Sequence, residues 1–125
     1  MHPTRSSNNS INTLNNMLSW NEFEKVDMRV GTIIEVNDFP KARKPAYQLK
    51  IDFGEFGIKN SSAQITKLYK KKDLLGKQIV AVVNFPPKQI ANFISECLVL
   101  GALGEDDEVT LLNTNLKVKN GSRIV

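Results

Sequence analysis

Val26-Asp27-Met28-Arg29-Val30-Gly31-Thr32-Ile33-Ile34-Glu35-Val36 alternates in character along its length. Val26, Met28, Val30, Ile34 and Val36 fall on one face, and Asp27, Arg29 and Glu35 on the other. A period of two is the pattern of a half-buried β-strand, because successive side chains point to opposite faces. Gly31 marks a bend or a close approach of backbone. The stretch is longer than an ordinary strand, which suits a barrel whose first strand bends to serve both sides.

Downstream, Asp38 to Pro45 reads as a loop braced by Pro40 and Pro45. Tyr47, Leu49, Ile51 and Phe53 then alternate with Gln48, Lys50 and Asp52 to give a second strand. Gly54-Glu55-Phe56-Gly57 is a turn, and a third strand through Ile58 to Ile65 follows it as a hairpin. Thr66 is placed to cap a short helix through Leu75, with Gly76 as its terminator. Ile79 to Val83 is an uninterrupted apolar run, hence a strand covered on both faces, and Phe85-Pro86-Pro87 ends it. Glu96 to Ala102 reads as a fifth strand, and Val109–Leu111, Leu116–Val118 and Ile124–Val125 are further short candidates. Three strands, one helix and two more strands is the order of an all-β, five-stranded OB-fold barrel, whose helix bridges strands three and four.

Upstream, residues 1–18 are rich in Asn and Ser with few large apolar groups, and are expected to form a flexible tail. The folded domain is then 19–125, opening at Ser19, which stands at capping-box spacing from Glu22. A chain of 125 residues is one domain with room for a core. It contains no apolar run of membrane-spanning length, so no membrane insertion is expected, and no apolar stretch follows Arg5 as a secretory signal requires. The single cysteine, Cys97, excludes an internal disulfide framework and fits a reducing, cytoplasmic setting.

The formal charge of +4 permits a polyanionic partner without demanding one. Its distribution is more telling. Lys41, Arg43 and Lys44 sit together, as do Lys67, Lys70, Lys71, Lys72 and Lys77, while acid collects at Glu105 to Glu108. Either basic cluster alone is more simply a solvated turn or helix surface.

No arrangement for bond-making is found. His2 is the lone histidine and lies in the tail. No HExxH or Cys-x-x-Cys spacing suits a metal, and no GxxxxGK[ST] loop cradles phosphate. Ser61, Ser62 and Ser95 lack an ordered histidine as base, and Cys97 reads as an inert core thiol. Glu105 to Glu108 lack the ligand spacing of an EF-hand. The expected protein is a binder with no catalytic residue, no metal and no cofactor. The loop with Lys41, Arg43 and Lys44 would sit on the barrel rim, where cations reach phosphates. Ser61, Ser62, Gln64, Asn84 and Ser95 offer polar groups to ribose or base edges. The outer face of strand two (Gln48, Lys50, Asp52) carries no aromatic ladder, so folded RNA fits better than generic single strands.

The opening strand, Val26 to Val36, also resembles that of the tRNA-binding domain appended to methionyl-tRNA synthetases. Tyr47 to Gly54, Leu75 to Asn84 and Ser95 to Leu100 keep that family's order. Phe39 to Tyr47, Gly57 to Thr66 and Asn84 to Ile90 resemble its CsaA branch of export-related chaperones. The resemblance implies a cytoplasmic homodimer that lacks enzymatic activity, binds tRNA and holds unfolded precursor proteins for export. It adds Lys88 to the polar positions, with Ser62, Gln64, Asn84 and Ser95 expected to line one pocket beside it. It implies a dimer interface from the segments bearing Trp20 and Phe23 and, after Leu103, Val109, Leu111, Leu116 and Val118. A tRNA-binding accessory module for a synthetase, with no chaperone role, remains an alternative. Exposure of Phe85, Pro86, Pro87, Ile90, Phe93 and Ile94 as one patch would point to a peptide site.

Overall fold

The computed structural model describes residues 16–125, so the tail expectation for 1–15, His2 included, lies outside the described residues. In chain order the elements are α1 (Trp20–Glu24), β1 (Met28–Asp38), β2 (Tyr47–Asp52), β3 (Ile58–Ala63), α2 (Lys71–Leu74), β4 (Gln78–Val82), β5 (Lys88–Ile90), β6 (Phe93–Ser95), β7 (Leu98–Val99), β8 (Gly101–Leu103) and β9 (Val109–Leu111). Five of the strands form one antiparallel sheet in the order β3-β2-β1-β4-β7. β3 then approaches β7, and the sheet becomes a nearly closed all-β barrel of the OB type with α2 between its third and fourth strands.

β1 serves both sides of the barrel as expected. Its first half pairs with β4 (Met28↔Val82 to Thr32↔Gln78) and its second half with β2 (Thr32↔Asp52 to Asp38↔Tyr47). Gly31 lies at the crossing, where an added Cβ would stand 2.6 Å from Ile51 Cγ2 and 2.7 Å from Phe53 Cδ1. Val30 and Ile33 are the buried apolar residues of this strand, and Ile34, expected inside, is 42% exposed. The cause is a bulge: Ile33 opposes Ile51 and Glu35 opposes Lys50, so Ile34 is the extra residue and the alternation slips by one. Leu49, Ile51, Phe53, Ile65, Leu74, Ile79 and Val99 complete the interior.

Three further expectations are corrected. The helix after β3 is only Lys71–Leu74, and Asp73, accepting from the Lys70 N–H at 2.9 Å, caps it in place of Thr66. The segment before it is held otherwise, by the Tyr47 hydroxyl donating to the Tyr69 carbonyl at 2.8 Å. The fifth strand is split. β7 pairs with β4, but the Leu100 N–H donates to Val80 while its carbonyl accepts from Leu112, and the chain then leaves as β8 to pair with β9. Leu116–Val118 forms no strand. Instead Ser122 to Ile124 runs beside the start of β1, with Val30 N–H to Ser122 at 3.0 Å and Ile124 N–H to Met28 at 2.9 Å.

The N-terminal turn is capped as its sequence foretold. Ser19 Oγ accepts from the Glu22 N–H and Glu22 Oε1 from the Ser19 N–H, at 3.1 and 3.0 Å. That main-chain bond holds the Glu22 carboxyl below its usual range. α1 is fastened to the body at its far end, where Arg123 Nη2 donates to the Glu24 carbonyl and Asn84 Nδ2 to the Lys25 carbonyl.

Candidate nucleic-acid interface

Antiparallel register places Asn37, Gln48 and Ser62 in one row across β1, β2 and β3, and Glu35, Lys50 and Asn60 in the next. Leu49 and Ile51 point inward, so Gln48 and Lys50 point outward. With Phe93 of β6 as a wall, Glu35, Asn37, Gln48, Lys50 and Asn60 line a groove of about 240 Å³. Phe93 is fixed edge-on against the buried Phe39, with ring centroids 5.5 Å apart and planes at 61°. That contact joins the β5–β6 hairpin to the loop after β1.

Lys41, Arg43 and Lys44 are all exposed on that loop. The second basic cluster comes to the same end of the barrel, because Lys71 Nζ lies 3.0 Å from Asp38 Oδ2, at the end of β1. Lys70, Lys71 and Lys72 thus neighbour the loop in space, and all three are exposed. Lys67 turns elsewhere, donating to the main-chain carbonyl of Asp106 in the acidic turn. Two basic segments far apart in sequence thus lie at one end of the barrel.

The polar residues singled out in sequence divide into groups. Ser61, Ser62 and Ser95 are buried together in the seam that closes the barrel. Ser61 Oγ donates to the Cys97 carbonyl at 3.1 Å, and Ser95 Oγ accepts from the Ser62 N–H at 3.2 Å. The same seam is joined by Glu96 N–H to the Asn60 carbonyl and Asn60 N–H to Glu96 Oε1. Lys88 is exposed opposite Ser95, and Gln64 is half-buried just beyond β3. Asn84 is not brought to this cluster by its bonds. Its amide bridges Lys25 and Asp27, with Oδ1 accepting from the Asp27 N–H at 3.0 Å. Glu35, Asn37 and Asn60 are not among the residues singled out from sequence, and Phe93 is named there only as part of a possible peptide patch. The bulge that sets the facing of Glu35 and Asn37, and the β5–β6 hairpin that presents Phe93, gave no periodic signal.

Of the residues expected at a dimer interface, Trp20 is 83% and Leu116 74% exposed, and Phe23 and Val118 are half-buried. Val109 and Leu111 belong to the chain's own core. Met17 and Leu18 are exposed beside Trp20 in sequence, and Leu18, Trp20 and Phe23 line a shallow apolar hollow. On the β5–β6 hairpin and the turn before it, Phe85 and Ile94 are half exposed, whereas Phe93 is tucked against Phe39. Cys97 is buried, and desolvation pushes its thiol up to about 12. Among the described residues no group of His, Cys, Asp or Glu is arranged to hold a metal ion, and no helix is long and apolar enough to cross a membrane.

Residues 28–123 match the family described as "Putative tRNA binding domain". The methionine–tRNA ligase of Thermococcus kodakarensis is 39% identical over 107 residues, which are 86% of this chain but 14% of that enzyme. Two solved chaperones are similar over their whole length. CsaA from Bacillus anthracis is 52% identical with a TM-score of 0.84, covering 87% of this chain and 99% of that one. CsaA from Picrophilus torridus is 59% identical with a TM-score of 0.82, covering 87% and 100%.

Proposed function

The chain belongs to the tRNA-binding domain family, and from that premise we propose that it binds folded tRNA through the positive rim that unites Lys41, Arg43 and Lys44 with Lys70 to Lys72. The observation that carries this reading is the Lys71–Asp38 contact, which brings Lys71 to the end of β1 from which the basic loop departs. Cations spaced along a rim suit phosphates of a fixed backbone shape, whose neutralisation releases counterions. Lys88 and Gln64 extend the surface. Ser61, Ser62 and Ser95 contribute by fixing the sheet edge beside the groove, and Asn84 by fixing α1. The protein acts by binding, without catalysis or cofactor.

A second activity, holding unfolded precursor proteins for export in the cytoplasm, is supported by the similarity to CsaA chaperones and by the exposure of Phe85 and Ile94. Both activities belong to a homodimer whose interface takes in Leu18, Trp20, Phe23 and Leu116, since apolar side chains this exposed on one small domain suit a self-complementary contact. The test is filter binding of a purified tRNA and of an unstructured oligonucleotide of equal length, each challenged with an unfolded precursor. Preference for tRNA, weakened by salt, supports the reading. Equal affinity for both nucleic acids contradicts it, and displacement of tRNA by the precursor assigns both ligands to one surface.

A further inference from the structure

We propose that the groove between β1, β2 and Phe93 is a pocket for a single unstacked guanine base. The inference rests on the RNA-binding reading and names what that surface selects. At about 240 Å³ the groove lies below the roughly 300–1,000 Å³ of pockets for drug-sized ligands, and its scale is that of one base. Phe93 lines the groove with an aromatic ring that Phe39 holds in place, and splayed RNA bases stack on rings of this kind.

The hydrogen-bonding groups then choose among bases. Glu35 and Lys50 are direct cross-strand partners, so a carboxylate and an ammonium project side by side from the sheet that floors the groove. Asn37 Nδ2 donates to Glu35 Oε2 at 2.8 Å, which orients both side chains and leaves Glu35 Oε1 and Asn37 Oδ1 as neighbouring acceptors. Lys50 is exposed and makes no ion pair among the described residues, so its donors are available. A pair of acceptors beside a cationic donor complements the Watson–Crick edge of guanine, with N1–H and the 2-amino group next to O6. Adenine and cytosine each bring one amino group beside acceptors, and uracil one N–H between two carbonyls. None fills both acceptors. Hypoxanthine keeps N1–H and O6 but lacks the 2-amino group, which makes it the discriminating probe. A strand entering over Phe39 would leave its phosphate toward Lys41, Arg43 and Lys44.

The experiment is a titration of the isotopically labelled full chain with GMP, IMP, AMP, CMP and UMP, followed through its backbone amide signals. GMP is expected to move Glu35, Lys50, Asn60 and Phe93, with affinity about tenfold above IMP, the effect of one missing hydrogen bond to a charged group. Glu35→Gln should erase the GMP-over-IMP preference, and Phe93→Leu, which retains apolar bulk against Phe39, should weaken every nucleotide. Equal responses to all five, shifts confined to Lys41–Lys44 and Lys70–Lys72, or no shift at millimolar nucleotide each overturn the proposal. If tRNA still binds in those cases, the tRNA reading stands while the guanine pocket falls. Selective GMP binding by a chain that ignores tRNA would do the reverse.

Discussion

Asp38 and Lys71 are 33 positions apart in sequence and 3.0 Å apart across the end of the barrel. The pair is exposed, so its own contribution to stability is small, within about 0–1 kcal/mol. Its consequence is positional. It shows a lysine-rich turn lying beside the end of β1, from which the loop of Lys41, Arg43 and Lys44 departs, with one carboxylate among those cations. Asp38→Asn should therefore leave unfolding in urea nearly unchanged and raise tRNA affinity at low salt by roughly two- to fivefold. A drop in affinity would show that Asp38 organises the rim and does not merely dilute its charge.

The barrel seam gives a second expectation. Ser95 Oγ accepts from the Ser62 N–H and donates to the Cys97 carbonyl, all in buried surroundings. Ser95→Ala should cost about 1–3 kcal/mol in chemical denaturation, because buried polar groups lose a partner that water cannot replace. Below the transition, tRNA affinity should change less than about twofold. A stable variant with tenfold weaker tRNA binding would make Ser95 a contact residue.

Asn84 tests the link between α1 and self-association. Its amide holds the Lys25 carbonyl and the Asp27 N–H, two main-chain groups in the link between α1 and β1. Asn84→Ala should loosen α1, carry Trp20 out of position and shift the proposed dimer toward monomer by roughly tenfold in dissociation constant, read by sedimentation. Unchanged association would place the interface away from Trp20 and Phe23.

Cys97 carries a pH expectation. Burial raises its thiol from 9.0 to about 12, so the folded state holds the proton more tightly than the unfolded chain. The stability linked to that proton is complete below pH 9 and is lost as pH climbs toward 12, by up to ~4 kcal/mol. The stability gap between the protein and its Cys97→Ala variant should narrow across that window. At pH 8 a disulfide reagent should react with Cys97 only as the protein unfolds. Immediate reaction of the native protein would contradict its burial.

Much of the barrel was legible because its strands are half-buried, and a half-buried strand writes its facing into the sequence. Tyr47 to Phe53 is such a case, with Leu49 and Ile51 inside and Gln48 and Lys50 outside. What failed was local geometry that tertiary contacts decide. Ile34 continues the apolar pattern, yet the bulge turns it outward and hands its core place to Ile33. Thr66 looks like a helix cap, but the chain makes only a turn at Thr66 to Leu68, is held at Tyr69 by the Tyr47 hydroxyl, and becomes helical at Lys71. The site was partly readable for a similar reason. Each basic cluster is visible as a group of cationic residues, whereas their position at one end of the barrel depends on β1 ending beside α2. Serines suited to a ligand in one dimension turned out to face one another across a seam in three.

The salt dependence of tRNA binding tests the central claim most directly. Affinity should be measured over a range of salt for the protein and for the variant with Lys41, Arg43 and Lys44 all replaced by alanine. The account predicts weaker binding and a slope of log affinity against log salt that is shallower by roughly one for each phosphate no longer neutralised, close to three in all. An unchanged slope with unchanged affinity would contradict it, because the rim would then be a solvated loop that tRNA does not touch.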